Sequence, residues 1–262
     1  MLSIFNRNEY TSTEATDIVE RIVYAYLKPL GFRKYGRTLH RFVDGDISQV
    51  VHLQNGCPQK GIYGVLWINL GIRVPESVER KFTIREPLKK YYQEYECNIR
   101  TTLGMYVDGK DTEYDLKKNP NKTGNDIVAR LEKYVMPVFD TLNSRDAILK
   151  YRADYEKFDR INSDMRLLED AMIYGRRGNI AEATRLFKAY YEKALKEYNE
   201  EFENGTKDYL KKGQTMVYYN TRTDEMETIT ATQRGYVTVY SANRGHLEYL
   251  EKLADELGIT IS

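Results

Sequence analysis

A change in hydrophobic period near the start of the chain constrains its fold more than any other feature. Apolar residues first recur at helical spacing, in a stripe made of Ala15, Ile18, Val19, Ile22, Val23, Tyr26, Leu27 and Leu30. From residue 37 to residue 73, apolar and polar side chains alternate instead. The first pattern predicts an amphipathic helix, and the second predicts strands with one buried face. We therefore expect an α+β fold in which an antiparallel sheet packs on helices.

Local signals position the first helix and the first hairpin. The Thr-Ser-Thr-Glu run at residues 11–14 has the spacing of a capping box, which predicts a helix over residues 13–30. The Asp-Gly pair at residues 44–45 tolerates positive φ and therefore predicts a two-residue hairpin turn. Such a turn pairs Val43 with Asp46, and this register decides which side chains share a face.

The predicted register gives the sheet an aliphatic side and an outer side. On the first hairpin, the aliphatic side is expected to carry His40, Phe42, Ile47, Gln49, Val51 and Leu53. The outer side is expected to carry Leu39, Arg41, Val43, Ser48, Val50, His52 and Gln54. A third strand over residues 62–73 adds Leu66, Ile68, Leu70 and Ile72 to the first side. It adds Val65, Trp67, Asn69, Gly71 and Arg73 to the second. We expect the first helix to cover the aliphatic side.

The later part of the chain divides into helical and mixed regions. The sequence pattern predicts a helix over residues 82–94 and a strand over residues 98–107. It also predicts a second long helix over residues 127–142, which Pro137 should kink. Apolar seams over residues 158–172 and 180–198, with a turn between them, predict a helical hairpin similar to one tetratricopeptide unit. Tail strands are predicted at residues 215–219, 227–231 and 236–240, before a helix at 246–257. The expected regions are an α+β domain (1–142), a helical hairpin (143–205) and a small docked β/α tail (206–262).

Composition argues against several classes of protein. The 262 residues include 40 basic and 39 acidic side chains, and the resulting net charge of +1 argues against a nucleic-acid partner. Cys57 and Cys97 are too few for a disulfide framework. No apolar run is long enough to span a membrane, and the first residues lack the apolar core of a secretory signal. These features predict a soluble, cytoplasmic protein.

Common catalytic and metal-binding signatures are missing from the sequence. It contains no Gly-x-Ser-x-Gly motif, no Walker-type phosphate loop and no Gly-x-Gly-x-x-Gly motif. Its three histidines are not spaced as metal ligands. An acidic loop at residues 108–115 lacks the order of a calcium loop, so we interpret it as a solvated turn. We expect no metal and no cofactor, and an enzyme is not favoured.

Two features indicate where a ligand would bind. Six basic residues and no acid lie between Glu20 and Asp44, and guanidinium groups such as those of Arg37 and Arg41 suit an anion. An ordinary solvated basic edge fits the same pattern. On the outer side of the sheet, Trp67 with polar neighbours suits a ligand pocket, unless the helical half covers it. The candidate ligand-binding residues are Arg37, Arg41, His52, Gln54, Trp67 and Asn69.

Short blocks within residues 17–142 carry a resemblance to a known family. They are Leu27-Lys28-Pro29-Leu30-Gly31-Phe32, Lys34, Gly36-Arg37-Thr38-Leu39, Arg41, Gln54, Ile68-Asn69-Leu70-Gly71, Cys97 and Ile99-Arg100. Together they resemble a bacterial family, domain of unknown function 4304, some members of which have an extended C-terminus. Residues 111–116 depart from the pattern, where an aspartate followed by tryptophans is expected. The resemblance implies an α+β fold and a bacterial origin, and it carries over no catalytic residue.

Two functions of different classes are compatible with the sequence. The first, which we favour, is a non-catalytic protein-binding module that uses the tyrosine-rich helices and the outer side of the sheet. The 23 tyrosines against 8 phenylalanines suggest it, because tyrosine is favoured at interfaces. The second is an enzyme, or an anion- or small-ligand-binding protein, with a site near Arg37, Arg41, His52 and Asn69. The sequence leaves the ligand, the partner and the oligomeric state open.

Overall fold

The computed structural model of the chain describes residues 10–56, 64–78, 89–116, 119–159 and 165–261. The chain divides into two compact units, Met1–Arg166 and Leu167–Ser262. Antiparallel strands and helices make up both units, and the predicted α+β fold class is confirmed.

The first helix begins with the predicted capping box. Helix α1 spans Ser12–Leu27, and its N-cap Thr11 accepts a hydrogen bond from the backbone N–H of Glu14 at 3.2 Å. The carboxylate of Glu14 accepts in return from the backbone N–H of Thr11 at 2.9 Å. The α-helix ends before residue 30, because residues Lys28–Leu30 form a 3-10 turn. Gly31, whose φ is 89°, then ends the helical conformation.

An antiparallel sheet forms the centre of the first unit. Its strands follow chain order as β1 (Arg33–Tyr35), β2 (Thr38–Val43), β3 (Ile47–Asn55), β4 (Val65–Arg73) and β5 (Ile99–Thr102). A short strand β6 (Tyr114–Asp115) also pairs with β4. The strands with the longest apolar alternation, β3 and β4, therefore lie in the middle of the sheet.

The predicted register of the first hairpin is wrong by one residue. Val43 pairs with Ile47 and not with Asp46, so the turn has three residues. Since side chains alternate, this shift moves every side chain of β2 to the opposite side of the sheet. Arg145 provides a physical reason, because its guanidinium forms ion pairs with both Asp44 and Asp46 of the turn. That partner is too distant in sequence for local turn signals to show it.

The aliphatic side of the sheet packs on helices, as expected. Besides α1, these include α4 (Pro120–Arg130), a π-helical turn at Leu131–Val135 and α5 (Met136–Thr141). The hydroxyl of Thr16 in α1 and the side-chain amide of Asn55 are hydrogen-bonded at 3.0 Å, and the amide of Gln49 donates to the carbonyl of Phe139 at 2.5 Å. Asn55 and Gln49 both project from the aliphatic side, so α1 and α5 cover that side.

The chain after β4 differs from the sequence prediction. It contains α2 (Pro75–Val78), a 3-10 turn at Glu94–Glu96 and α3 (Leu103–Asp108). The strand predicted at residues 98–107 ends at Thr102, because the Thr102 hydroxyl caps α3 by accepting from the N–H of Met105 at 3.1 Å. Most of the helix predicted at residues 82–94 lies outside the described residues, and residues 89–93 are not helical.

The first unit continues beyond α5. Helix α6 spans Arg145–Tyr151, and Phe158 then packs in the core with its ring 5.8 Å from that of Phe139 and 5.2 Å from that of Tyr106. The sequence places Phe158 at the start of the helical hairpin. In the structure it belongs to the first unit, and Ile161 of the same predicted seam lies outside the described residues.

The second unit contains the helical hairpin and the tail. Helices α7 (Arg166–Arg176) and α8 (Ile180–Asn204) are joined by a short turn. Strand β7 (Thr206–Leu210), which the sequence did not predict, pairs with β10 (Gly235–Val239), and β8 (Thr215–Asn220) pairs with β9 (Glu225–Thr230). Helix α9 (Gly245–Leu257) packs on α8, where the hydroxyl of Tyr191 donates to Glu251 at 2.9 Å.

Candidate functional site

The outer face of the sheet, opposite α1 and α5, carries most of the polar side chains of the central strands. Strand alternation gives it Thr38, His40, Phe42, Ser48, Val50, His52, Gln54, Trp67, Asn69, Gly71, Arg73, Arg100 and Thr102. Residues 89–97, here called the covering segment, pack on this face, with Tyr92 over Arg73 and Cys97 against Gly71. The outer face is therefore a partly covered polar layer within the first unit.

A hydrogen-bonded chain fixes the orientation of His52. The Thr38 hydroxyl lies 2.9 Å from Nδ1 of His52 and donates to Oε1 of Gln93 at 2.6 Å. Because a hydroxyl has one proton, this assignment makes Nδ1 the donor to Thr38 and leaves Nε2 as the acceptor of a neutral ring. Nε2 makes no hydrogen bond to the part of the chain that the structure describes. A half-buried imidazole with an open acceptor nitrogen suits a hydrogen-bond donor or proton on a ligand.

The remaining candidates on the outer face lie beside His52. Asn69 is opposite His52 in the register and donates to Oε1 of Gln54 at 2.7 Å. Trp67 lies opposite Gln54 and is half-buried. The structure thus brings together His52, Gln54, Trp67 and Asn69, and the ligand-binding role of these four residues stays a prediction.

The two candidate arginines do not join this cluster. Arg41 was expected on the outer side, and this is wrong because the one-residue shift of β2 places it on the aliphatic side. Its Nε donates to Gln49 at 2.7 Å, and its Nη2 donates to Asp140 at 2.8 Å. Nη2 of Arg37 lies 3.8 Å from a carboxylate oxygen of Asp17 in α1. Both guanidinium groups therefore have partners within the first unit.

A match to a protein family covers the segment that contains this sheet. Residues 23–141 match the family model described as domain of unknown function (DUF4304). The resemblance found in the sequence is thereby confirmed for this segment. No curated protein and no solved structure matches the chain. The family assigns no activity, so the chemistry of the DUF4304 segment has to be argued from its own side chains.

A second row of the outer face in the DUF4304 segment holds buried polar groups that sequence reasoning did not select. Ser48 lies directly opposite Arg73, and His40 lies one row further along the same face. The Oγ of Ser48, the Nδ1 of His40, and the Nε and Nη1 of Arg73 are buried without a hydrogen-bond partner. Alternation in the third strand already placed Arg73 on the outer face, but nothing in the sequence shows that its partners are missing.

Burial shifts the pKa values of several groups near the outer face. Loss of hydration lowers the pKa of His52, and the charge of Arg37 lowers it further. Burial also lowers the pKa of His40, and the nearby charge of Arg33 lowers it further. Burial raises the pKa of the Cys97 thiol, which is therefore protonated and unreactive at neutral pH. The site thus favours neutral imidazoles over a thiolate nucleophile.

The described ranges contain no group of three or more histidine, cysteine, aspartate or glutamate side chains that could hold a metal ion. The acidic loop that the sequence singled out is held by protein contacts. Asp108 pairs with Arg130, and the hydroxyl of Thr102 donates to Asp111 at 2.9 Å. Of the helices in these ranges, none has the length and apolar character of a membrane span.

The hairpin formed by β8 and β9 is an exposed feature of the second unit. Val217 is 60% exposed and Met226 is 65% exposed. Val217 pairs with Thr228 and Tyr219 pairs with Met226, so all four share one face. By contrast, the helical tyrosine Tyr190 is buried. The β8–β9 hairpin therefore presents apolar side chains to solvent on one face.

Proposed function

We propose that this protein is a non-catalytic protein-binding module that engages another protein through the β8–β9 hairpin. A single observation carries the proposal. Of the residues in the two strands, Asn220 alone is buried, although the other positions include Met216, Val217 and Met226. A two-stranded hairpin is marginally stable by itself and needs a further strand or a packed face. A partner would supply that packing.

The chemistry of the exposed face specifies the kind of partner. The face consists of Thr215, Val217, Tyr219, Met226, Thr228 and Thr230, and none of these side chains is charged. Tyrosine and methionine are enriched at the centres of protein interfaces, where charged residues are depleted. We therefore assign the face to a different protein that presents an uncharged, apolar surface. The net charge of +1 supports a protein partner over a polyanion.

The proposal includes a bacterial origin and a cytoplasmic location. The family resemblance motivates the first. A composition with two cysteines motivates the second, since disulfide frameworks are typical of secreted domains.

The test uses aspartate substitutions on and off the exposed face. Partners of the full chain are identified by co-purification and then rebuilt from purified components, so that dissociation constants can be measured. Val217→Asp and Met226→Asp should each weaken binding about tenfold or more, because a charge would be buried against an apolar surface. Gln233→Asp places the same charge at an exposed position outside the strands and should leave binding unchanged.

Three results would overturn the proposal. One is the absence of any purified partner that binds the full chain, and another is binding that both strand variants retain. The third is a dimer of this chain, seen by light scattering and lost in Val217→Asp, because it would assign the face to a second copy. Circular dichroism confirms that each variant is folded.

A second candidate is a small-ligand-binding protein or an enzyme that uses the outer face of the sheet. The observation that favours it is His52, whose ring is oriented by Thr38 and has an open Nε2. Ligands from a panel of small acids and amides should shift the NMR signals of the His52 ring, and His52→Asn should abolish their binding. Binding that His52→Asn retains, or a ring that no ligand affects, would exclude this candidate.

A further inference from the structure

Arg73 is a buried cation that forms no ion pair within the part of the chain that the structure describes. It ends β4 on the outer face and is 4% exposed. Its Nε and Nη1 are sealed from solvent and make no hydrogen bond. The ring of Tyr92 lies 3.8 Å from Cζ, which gives a cation–π contact but supplies no oxygen acceptor to Nε and Nη1. The donors on Nε and Nη1 of Arg73 therefore remain unsatisfied.

Two further orphaned polar groups lie beside Arg73. Ser48 is fully buried and occupies the position directly opposite Arg73, where side chains of paired strands touch. His40 is 5% exposed and lies diagonally from Ser48 on the same face. Neither the hydroxyl of Ser48 nor Nδ1 of His40 has a partner. Three buried side chains of the outer face, in two neighbouring rows, thus each carry a polar atom without a partner.

The acidic residues of the surrounding elements are already engaged. Glu94 pairs with Arg100 at 3.3 Å, and Glu96 pairs with Lys89 at 2.7 Å. At the adjoining end of the sheet, Asp46 lies 2.8 Å from Arg145. No carboxylate in the described ranges forms an ion pair with Arg73. An unpaired buried charge is among the most unfavourable groups in a folded protein, so a partner from outside the chain would remove a large penalty.

We propose that Arg73, Ser48 and His40 form a binding site for a small oxyanion, the carboxylate or phosphate group of a small molecule. A guanidinium offers parallel N–H donors that match two oxygens of such a group. The Ser48 hydroxyl and a protonated Nδ1 of His40 supply further donors. Tyr92 of the covering segment lies on the guanidinium and borders the site. The site uses none of the proposed protein-binding residues and none of the His52 cluster.

The first test measures anion binding to the full chain by calorimetry. Sodium phosphate, sulfate and acetate are compared with sodium chloride at equal ionic strength. Arg73→Met keeps the length of the side chain and removes its donors, so it should weaken binding about tenfold or more. Arg100→Met is the matched control, because Arg100 lies on the same face but already pairs with Glu94, and it should bind as the unmodified chain does. Tighter binding of phosphate identifies a phosphate group, and tighter binding of acetate identifies a carboxylate.

The second test measures thermal unfolding. Added oxyanion should raise the unfolding midpoint of the unmodified chain and leave that of Arg73→Met unchanged. Without oxyanion, Arg73→Met should unfold no earlier than the unmodified chain, since an unpaired cation has been removed. If Arg73→Met does not fold, Ser48→Ala decides, because it should retain stability and weaken binding severalfold. The proposal is overturned if no oxyanion binds to the unmodified chain, or if Arg73→Met still binds it as tightly. If Arg73→Met does not fold, unchanged binding to Ser48→Ala overturns the proposal instead.

Discussion

Gly71 lies so close to Cys97 that a Cβ built on the glycine would stand 2.5 Å from the Sγ and 2.7 Å from the Cβ of the cysteine. The absence of a side chain at this position in β4 is what lets the covering segment rest directly on the outer face. Because the Cβ of Cys97 is fixed to its backbone, the contact cannot be relieved by a rotamer change alone. Gly71→Ala should therefore destabilise the first unit by about 1–3 kcal/mol, the usual cost of overpacking.

Urea unfolding followed by Trp67 fluorescence measures this effect, since Trp67 is the one tryptophan in the chain. Cys97→Gly in the Gly71→Ala background should recover part of the loss, because the next atom, the carbonyl oxygen of Glu94, is 3.7 Å away. Gly235→Ala is the control, as no atom lies within 4 Å of its Cβ position. Equal stability of Gly71→Ala and the unmodified chain would show that the covering segment does not rest on Gly71.

Gln49 is a buried polar link between the sheet and the helices. Its amide donates to the carbonyls of Phe139 at 2.5 Å and Leu142 at 3.3 Å, and its Oε1 accepts from Arg41. Gln49→Met preserves volume but leaves these groups unpaired, so it should cost about 1–3 kcal/mol for each one that water cannot reach. Gln214→Met removes a hydrogen bond from an exposed backbone N–H and should cost clearly less. Chemical unfolding of both variants provides the comparison, and similar losses would refute a special role for Gln49.

The sequence predicted those features of the fold that depend on local pattern. The capping box of Thr11 and Glu14 is present, and the faces of β3 and β4 are as alternation requires. The register of β2 was missed because it involves the long-range partner Arg145, which binds the turn. Residues 98–107 read as one strand, since the capping role of Thr102 depends on how the chain turns after it.

The candidate site was predictable only in part, for the same reason. Alternation of side chains along the strands puts His52 and Asn69 on one face of the sheet, so the sequence predicted that they lie together. Whether a polar side chain is paired depends on residues distant in sequence, such as Asp140 beside Arg41. The orphaned donors of Arg73 become visible only when the covering segment and the opposite strand are both in position.

Gly124 in α4 offers a contrast to Gly71. A Cβ there would stand 2.9 Å from Cδ1 of Ile22, the far end of its side chain in α1, while the Cβ of Ile22 stands at 3.1 Å, which a shift of a few tenths of an ångström relieves. Replacing glycine by alanine inside a helix gains about 1 kcal/mol of helix propensity, which offsets the cost of moving that methyl group. Gly124→Ala should therefore change the free energy of unfolding by less than about 1 kcal/mol in either direction. A larger loss in urea unfolding would mean that Ile22 has no alternative rotamer between α1 and α4.

The lowered pKa of His52 makes stability depend on pH. Burial and the charge of Arg37 hold the folded pKa below the ordinary value of 6.5, so the unfolded chain takes up a proton first as pH falls. The contribution of His52 is therefore complete above pH 6.5 and is lost as the pH falls towards the folded pKa. Glu94 and Asp159, whose pKa values are raised by burial, act in the opposite direction, so the variant must be compared with the unmodified chain.

Between pH 7.5 and 5, the free energy of unfolding should fall less in His52→Asn, measured by urea unfolding at each pH. Arg37→Met should also flatten the profile, because it removes the second cause of the shift. Parallel curves for all three proteins would mean that His52 keeps its ordinary pKa in the folded chain.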